Sequence, residues 1–262
     1  MASSVDGLEL DYHYHYHYHY TDNNTILVIH NLSPATLDII PRVNKIHLHK
    51  YFNESIDILS KYDNITELDL GTCFNILVNS WPPKLQKLDL GVSYNHPIDN
   101  LPETLILLNT SVFFNHPIDN LPLGLQELYL GTNFNQSLDS KLPEALQELS
   151  LGTGFNYPVD NLPNSLEILF FFSTKYYHNL NLLPDGIKTL MLPKDYTVDI
   201  VKLPAQIQSI FVSHIKLEQI KELVKNNDNI KCAITVIPDN PCKIYCIYLY
   251  ISFLQYNLLI SI

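Results

Sequence analysis

The chain has 262 residues, of which 46% are hydrophobic and 16% are charged, a composition typical of a protein that buries a core. Its 16 lysines and arginines stand against 27 aspartates and glutamates, and the resulting formal net charge of -11 argues against nucleic acid and anionic lipid as partners. The four cysteines have neither CxxC nor zinc-finger spacing, and the first residues do not resemble a signal peptide. We therefore expect an intracellular, cytoplasmic protein with free thiols.

Residues 1–40 are predicted to form a low-complexity or capping segment, which contains the run DYHYHYHYHY. In an extended chain this run places His13, His15, His17 and His19 along one edge, where two imidazoles could hold a divalent metal ion. Low-complexity drift explains the run more simply. We therefore assign no metal site and no cofactor.

Residues 41–213 repeat a pattern every 20 to 22 residues. The heptapeptide HPIDNLP occurs at 96–102 and again at 116–122, and a Leu-Pro pair, an LxxLxLG motif and an aromatic-Asn pair recur with the same period in about nine copies. The Leu-x-Leu part has the period of a strand with one buried face, and Gly permits a backbone angle that strains other residues. Because so short a unit cannot bury its own leucines, the copies must stack as parallel strands in register.

The repeated unit, LPxxLxxLxLGxxFNxPID, resembles the FNIP repeat, a leucine-rich-repeat relative of social amoebae and of the giant viruses that infect amoebae. The resemblance covers residues 41–213, with the copies at 82–163 near the consensus. It implies a β-rich, leucine-rich-repeat-like solenoid, with parallel strands on the concave face and irregular, turn-rich return arms. Many viral members carry an N-terminal F-box, which recruits a cullin-type ubiquitin ligase, but residues 1–40 lack a convincing three-helix pattern.

Two polar columns recur in the turns of the repeat. We interpret the Asn of the aromatic-Asn pair as a structural ladder that satisfies the loop amides of adjacent coils rather than as a ligand site. The ladder comprises Asn53, Asn75, Asn95, Asn115, Asn135 and Asn156. A second column, of Asp57, Asp99, Asp119, Asp139 and Asp160, suits capping of the following turn better than calcium binding.

The non-leucine positions of each strand are expected to point away from the core, onto the concave face. Along the chain this face changes from charged, mainly acidic residues to apolar ones, and exposed apolar clusters usually mark a partner surface. We predict partner contacts at Asp69, Asp89, Tyr129, Ile168, Phe170, Met191 and Phe211. The alternative is that the C-terminal helix or a tail covers the apolar part.

Residues 214–240 are predicted to form a C-terminal cap of a helix, with Ser213 as a possible N-cap, and a closing strand from Ile230 to Ile237. Residues 241–262 are an apolar tail without a charge after Lys243. Its length is marginal for a membrane anchor, and its polar and hydroxyl residues also suit burial against the cap or a poorly ordered tail.

The sequence contains no GxSxG, HExxH or phosphate-binding glycine loop, and each prominent column has a stacking role. We therefore predict a non-enzymatic, monomeric interaction module that holds a protein partner on its concave face. Two alternatives stay open: a substrate receptor or decoy in a host ubiquitin-ligase pathway without a recognisable F-box, and a membrane-tethered binder. A hydrolase acting on a groove-bound polymer is a more distant alternative.

Overall fold

The structure is a computed structural model, which describes residues 26–138, 142–227 and 230–237. In these residues eleven strands form one open sheet, in which every strand is parallel to its neighbours and strand order follows chain order. The strands are β1 (Ile26–Ile29), β2 (Lys45–Leu48), β3 (Glu67–Asp69), β4 (Lys87–Asp89), β5 (Leu107–Asn109), β6 (Glu127–Tyr129), β7 (Glu148–Leu151), β8 (Ile168–Phe171), β9 (Thr189–Met191), β10 (Ser209–Val212) and β11 (Ala233–Val236). The α-helices are α1 (Pro34–Leu37) and α2 (His214–Lys225), and 3-10 helices span Ile40–Arg42 and Asp57–Lys61. This arrangement confirms the predicted leucine-rich-repeat-like solenoid.

The central leucine of each strand stacks on the central leucine of the next strand. Leu88 pairs with Leu68 on one side and Leu108 on the other, and Leu128 continues the column. These side chains are buried to 2% exposure or less. Burying one leucine contributes about 1.5–3 kcal/mol, and each coil obtains most of that burial from its neighbours.

A second column of the core consists of the aromatic residues that precede the Asn ladder. Phe74 and Tyr94 lie parallel at 6.1 Å between ring centroids, and Phe114 and Phe134 at 6.2 Å. The column extends past the recognisable aromatic-Asn pairs, because Tyr176 and Tyr196 continue it at 6.2 Å. The aromatic residues are therefore core filler, and one ring per coil keeps the coils at a constant spacing.

The glycine after the strand lies where adjacent coils approach most closely. Gly71 and Gly91 have φ angles of +68°. A Cβ atom on Gly91 would lie 1.7 Å from the carbonyl oxygen of Gly71. Only glycine satisfies both the backbone conformation and this contact.

The ends of the solenoid differ from the repeats. Strand β1 pairs with β2 but was not predicted, because Ile26–Ile29 is a continuous apolar run without the leucine motif. The closing strand was predicted and is β11. Ser213 occupies the N-cap position of α2, but its hydroxyl makes no capping hydrogen bond.

Lys216 of α2 is buried and connects the helix to the last turn of the repeats. Its ammonium donates hydrogen bonds to the carbonyl oxygen of Thr197 at 3.2 Å and to Oε1 of Gln219 at 2.7 Å. It also lies 5.6 Å from the ring centroid of Tyr196, the end of the aromatic column. The helix therefore covers the open end of the core with a buried cation that is hydrogen-bonded.

Candidate binding face

The outward positions of the strands lie on the sheet face opposite the leucine core, which we call the concave face. They line up in register, since Glu67 pairs with Lys87 and Asp69 pairs with Asp89. The outward residues of β2–β7 form what we call the charged face. Its members, two per strand from β2 to β7, are Lys45, His47, Glu67, Asp69, Lys87, Asp89, Leu107, Asn109, Glu127, Tyr129, Glu148 and Ser150.

At the N-terminal end of the charged face, opposite charges meet across adjacent strands. The ammonium of Lys45 lies 3.1 Å from Oε2 of Glu67. Nδ1 of His47 lies 2.7 Å from Oδ2 of Asp69, and their side chains are 38% and 33% exposed. The hydrogen bond with Asp69 raises the pKa of His47 above its ordinary value, against the effect of burial.

Asp69 and Asp89 are neighbours of like charge, and each is held by hydrogen bonds. The backbone N–H of Gly71 donates to Oδ1 of Asp69 at 2.8 Å, and that of Gly91 donates to Oδ1 of Asp89 at 2.7 Å. The amide of Asn109 donates to Oδ2 of Asp89 at 2.9 Å. Burial, and then the charge of Asp69, raise the pKa of Asp89 to about 7.

A second pair of neighbouring acids lies on β6 and β7, where Glu127 faces Glu148. The Tyr129 hydroxyl donates to Oε2 of Glu127 at 2.8 Å. Burial, and then the charge of Glu127, raise the pKa of Glu148 to about 7. Two carboxylates facing each other are unfavourable, and the raised pKa of Glu148 lets it take up a proton that relieves the repulsion.

The C-terminal part of the concave face contradicts the prediction of an exposed apolar surface. Phe170, Met191 and Phe211 are only 2%, 4% and 9% exposed, and they pack together with Ile237 in what we call the apolar cluster. Ile168 is partly buried against it. The expectation that Phe170, Met191 and Phe211 are accessible partner anchors was wrong, because they pack on one another across β8–β10 and on Ile237.

Helix α2 does not cover the apolar cluster. Its buried apolar residue, Ile220, packs into the leucine core instead. The alternative of a covering tail concerns residues after Ile237, which lie outside the described residues.

Each ladder asparagine bonds to the next coil. Oδ1 of Asn95 accepts a hydrogen bond from the backbone N–H of Asn115 at 3.1 Å. The same bond, at 2.9–3.3 Å, links Asn53 to Asn75, Asn75 to Asn95, Asn115 to Asn135, Asn135 to Asn156 and Asn156 to Tyr177. With its oxygen engaged in this way, each Asn joins two coils.

Two of the turn aspartates, Asp57 and Asp99, also form hydrogen bonds with neighbouring coils. Asp57 accepts from the backbone N–H of Asn79 at 2.9 Å and from its side-chain amide at 2.8 Å. Oδ1 of Asp99 accepts from the side chain of Asn120 at 3.2 Å. The hydrogen bonds from Asn79 lower the pKa of Asp57, and the bond from the Asn79 side chain has the largest effect.

Some predicted features lie outside the described residues. These are the histidine run, with His13, His15, His17 and His19, then Asp139 and the apolar tail. Across residues 26–138, 142–227 and 230–237 there is no group of three or more His, Cys, Asp or Glu that could hold a metal ion. The same part of the chain contains no helix that is both long and apolar enough to span a membrane.

Sequence reasoning missed the importance of Glu127, Glu148 and Ser150. The hydroxyl of Ser150 is fully buried and has no hydrogen-bond partner. The sequence did contain a signal for the acid pair, because the repeat period places Glu127 and Glu148 opposite each other once the register is known. The burial of Ser150 depends on the bulk of its neighbours and needed the structure.

Two comparisons show known proteins that this chain is similar to. Residues 134–173 match the FNIP repeat. A solved structure, the giant-virus protein CroV588, which is described as a novel circular leucine-rich-repeat protein, superposes with a TM-score of 0.65 at 30% sequence identity. The match covers 74% of this chain and 31% of that chain, so the chain spans about a third of the length of CroV588. No curated protein sequence matches. Residues 134–173 are therefore similar to an FNIP repeat, and the chain has a leucine-rich-repeat-like solenoid fold.

Proposed function

We propose that the protein is a non-enzymatic interaction module that holds a segment of a partner protein on its charged face. One observation carries the proposal: side chains such as His47 and Asp69 are about a third exposed and are fixed by hydrogen bonds on a continuous sheet. A surface whose polar groups are held in place before binding loses little conformational entropy when a partner docks. Interaction is also the usual role of FNIP repeats and leucine-rich-repeat solenoids, which are typically non-catalytic.

The charge of the face defines the kind of partner. Acids outnumber bases on β3–β7, where Glu67, Asp69, Asp89, Glu127 and Glu148 accompany a single lysine, Lys87. Complementary charge speeds association and excludes like-charged proteins. A basic segment is therefore the favoured partner. The free thiols of Cys73 and Cys232 support a reducing, cytoplasmic setting.

Affinity purification from amoebal lysate tests the proposal with two matched variants of the full chain. Asp69→Ala/Tyr129→Ala alters the charged face, whereas Asp160→Ala/Tyr157→Ala removes the same residue types from exposed positions of a return arm. We expect at least one protein to be captured by the wild type and the return-arm variant but not by the charged-face variant. Equal capture by all three would contradict the proposal. Capture of a Skp1-like adaptor would add a role in ubiquitin ligation.

A further inference from the structure

Among the described residues, the pair formed by Glu127 and Glu148 has no cation beside it, and the Tyr129 hydroxyl is its hydrogen-bond donor. At the same position of the two flanking strands lie Leu107 and Ile168, both apolar. Carboxylates directly opposite each other in neighbouring strands repel and destabilise a sheet. The fold therefore tolerates an unfavourable arrangement here.

The other acids near the strands show the contrast. Glu67 is paired with Lys45 at 3.1 Å, and Glu167 with Lys188 at 2.6 Å. Asp69 is paired with His47. Among the described residues, no Lys, Arg or His lies within ion-pair distance of Glu127 or Glu148, so this pair alone among the strand glutamates has no cation.

A second observation at the same place also indicates a missing group. Ser150 follows Glu148 by two residues on β7, so both side chains lie on the concave face. Ser150 is 4% exposed and lies between its register partners Tyr129 and Phe170. Its hydroxyl has no hydrogen-bond partner. An unpaired buried hydroxyl is unfavourable, and a ligand that bonds to it removes that cost.

We infer that Glu127 and Glu148, together with the hydroxyl of Ser150, bind an arginine side chain of the partner protein. The inference rests on the proposed function and names the group that the charged face recognises. A guanidinium presents five N–H donors in a planar fork, which matches carboxylates on strands about 4.8 Å apart and leaves donors for a hydroxyl. The arginine would turn a repulsive pair into a charge-assisted one. The raised pKa of Glu148 agrees with this, since it reflects burial beside Glu127 without a nearby cation.

Fluorescence anisotropy of the full chain at physiological ionic strength tests the site, with a fluorescein-labelled hexa-arginine peptide as the probe. The Glu127→Gln/Glu148→Gln variant should bind the probe at least about tenfold more weakly. The control, Glu54→Gln/Glu103→Gln, removes the same charge from exposed positions and should stay within about twofold of the wild type. A hexa-citrulline peptide, which keeps the shape but loses the charge, should bind at least about tenfold more weakly than hexa-arginine.

Ser150→Ala separates this binding role from a structural one. Loss of the unpaired hydroxyl should raise the unfolding midpoint and at the same time weaken binding of the hexa-arginine peptide about threefold. A merely structural serine would not change affinity in this direction while the protein became more stable.

Three results would each overturn the arginine site: no binding by the wild type, equal binding of the citrulline peptide, and equal loss in the two glutamine double variants. One further result would reject the arginine site without rejecting the proposed function. If Glu127→Gln/Glu148→Gln still captures the protein that Asp69→Ala/Tyr129→Ala loses, the charged face binds a partner but not through this pair.

Discussion

The charged face on β2–β7 and the apolar cluster on β8–β10 occupy equivalent positions of one repeat. Most residues of the charged face are partly exposed, apart from Leu107, Asn109 and Ser150, whereas the apolar cluster is core. Asp69 is a third exposed, whereas Met191, at the equivalent position of β9, is 4% exposed. The leucine and aromatic columns are the same beneath both regions. The repeat therefore fixes the backbone through its inward residues, and the outward residues are free to become a binding surface or a second core.

The largest expected effect concerns what the two regions share, the leucine column. Leu128→Asp places a carboxylate among fully buried apolar side chains, and we expect a loss of at least about 4 kcal/mol in the free energy of unfolding. Urea denaturation measures it. The control is Leu123→Asp, at a residue that is 79% exposed, which should change stability by less than about 0.5 kcal/mol. Equal midpoints for Leu128→Asp and the wild type would disprove the register.

The second prediction concerns the apolar cluster directly. Phe170→Ser removes a buried ring and should cost about 3–5 kcal/mol of unfolding free energy. The matched change Phe113→Ser lies at a residue that is 50% exposed and should cost less than about 1 kcal/mol. If both variants have the same urea midpoint, the cluster is surface after all and becomes available as a partner site.

The third prediction concerns the close contact between Gly91 and Gly71, which joins two coils of the charged face. Gly91→Ala forces a side chain into a positive φ and against the carbonyl of Gly71, so we expect a loss of about 2 kcal/mol or more. Thermal unfolding checks this against Gly124→Ala, where the nearest atom to a new Cβ is 3.8 Å away. An unchanged melting temperature for Gly91→Ala would mean that the coils are spaced differently.

A smaller effect is expected for the asparagine ladder, which is common to both regions. Oδ1 of Asn115 accepts from the backbone N–H of Asn135 at 2.9 Å and from the side chain of Gln136 at 3.1 Å. Asn115→Ala should cost about 1 kcal/mol, since water can reach the exposed donors. The control is Asn133→Ala, an exposed residue beside the ladder. If Asn133→Ala lowers the free energy of unfolding as much as Asn115→Ala does, the ladder hydrogen bonds do not stabilise the stack.

The last prediction is a pH dependence of stability above about pH 4, which arises chiefly from the charged face. Asp89 and Glu148 have pKa values raised to about 7 from ordinary values of 3.8 and 4.5, and that of His47 is also raised. The folded state therefore holds more protons than the unfolded state, and the stability that the two acids contribute is lost as pH rises from about 4 to 7, with a further loss from His47 at the upper end.

Urea titrations at several pH values measure this slope. Glu148→Gln should flatten it, whereas Glu103→Gln, at an exposed return-arm position, should leave it unchanged. The lowered pKa of Asp57 acts in the opposite direction, but only around and below pH 4. A stability that rises between pH 5 and 8 would contradict the burial of these acids.

Sequence predicted the backbone better than it predicted the surface. The period of the leucines and glycines determines strands, register and stacking, because inward residues are constrained by contact with the next coil. Strand β1 was missed since Ile26–Ile29 lacks the motif, and Phe170 was misplaced because alternation shows which face a residue occupies but not what packs on that face. The acid pair at Glu127 and Glu148 became visible only once the register joined residues 21 positions apart.

Cysteine labelling most directly tests the central claim that β2–β7 present a surface while β8–β10 present a core. Asp69→Cys and Met191→Cys are compared in a chain whose four native cysteines are replaced by Ser, and the rate of maleimide modification is measured under native conditions. We expect the cysteine at position 69 to react at least about tenfold faster, and unfolding in urea to abolish the difference. Equal native rates would mean that the charged face is no more accessible to a partner than the apolar cluster.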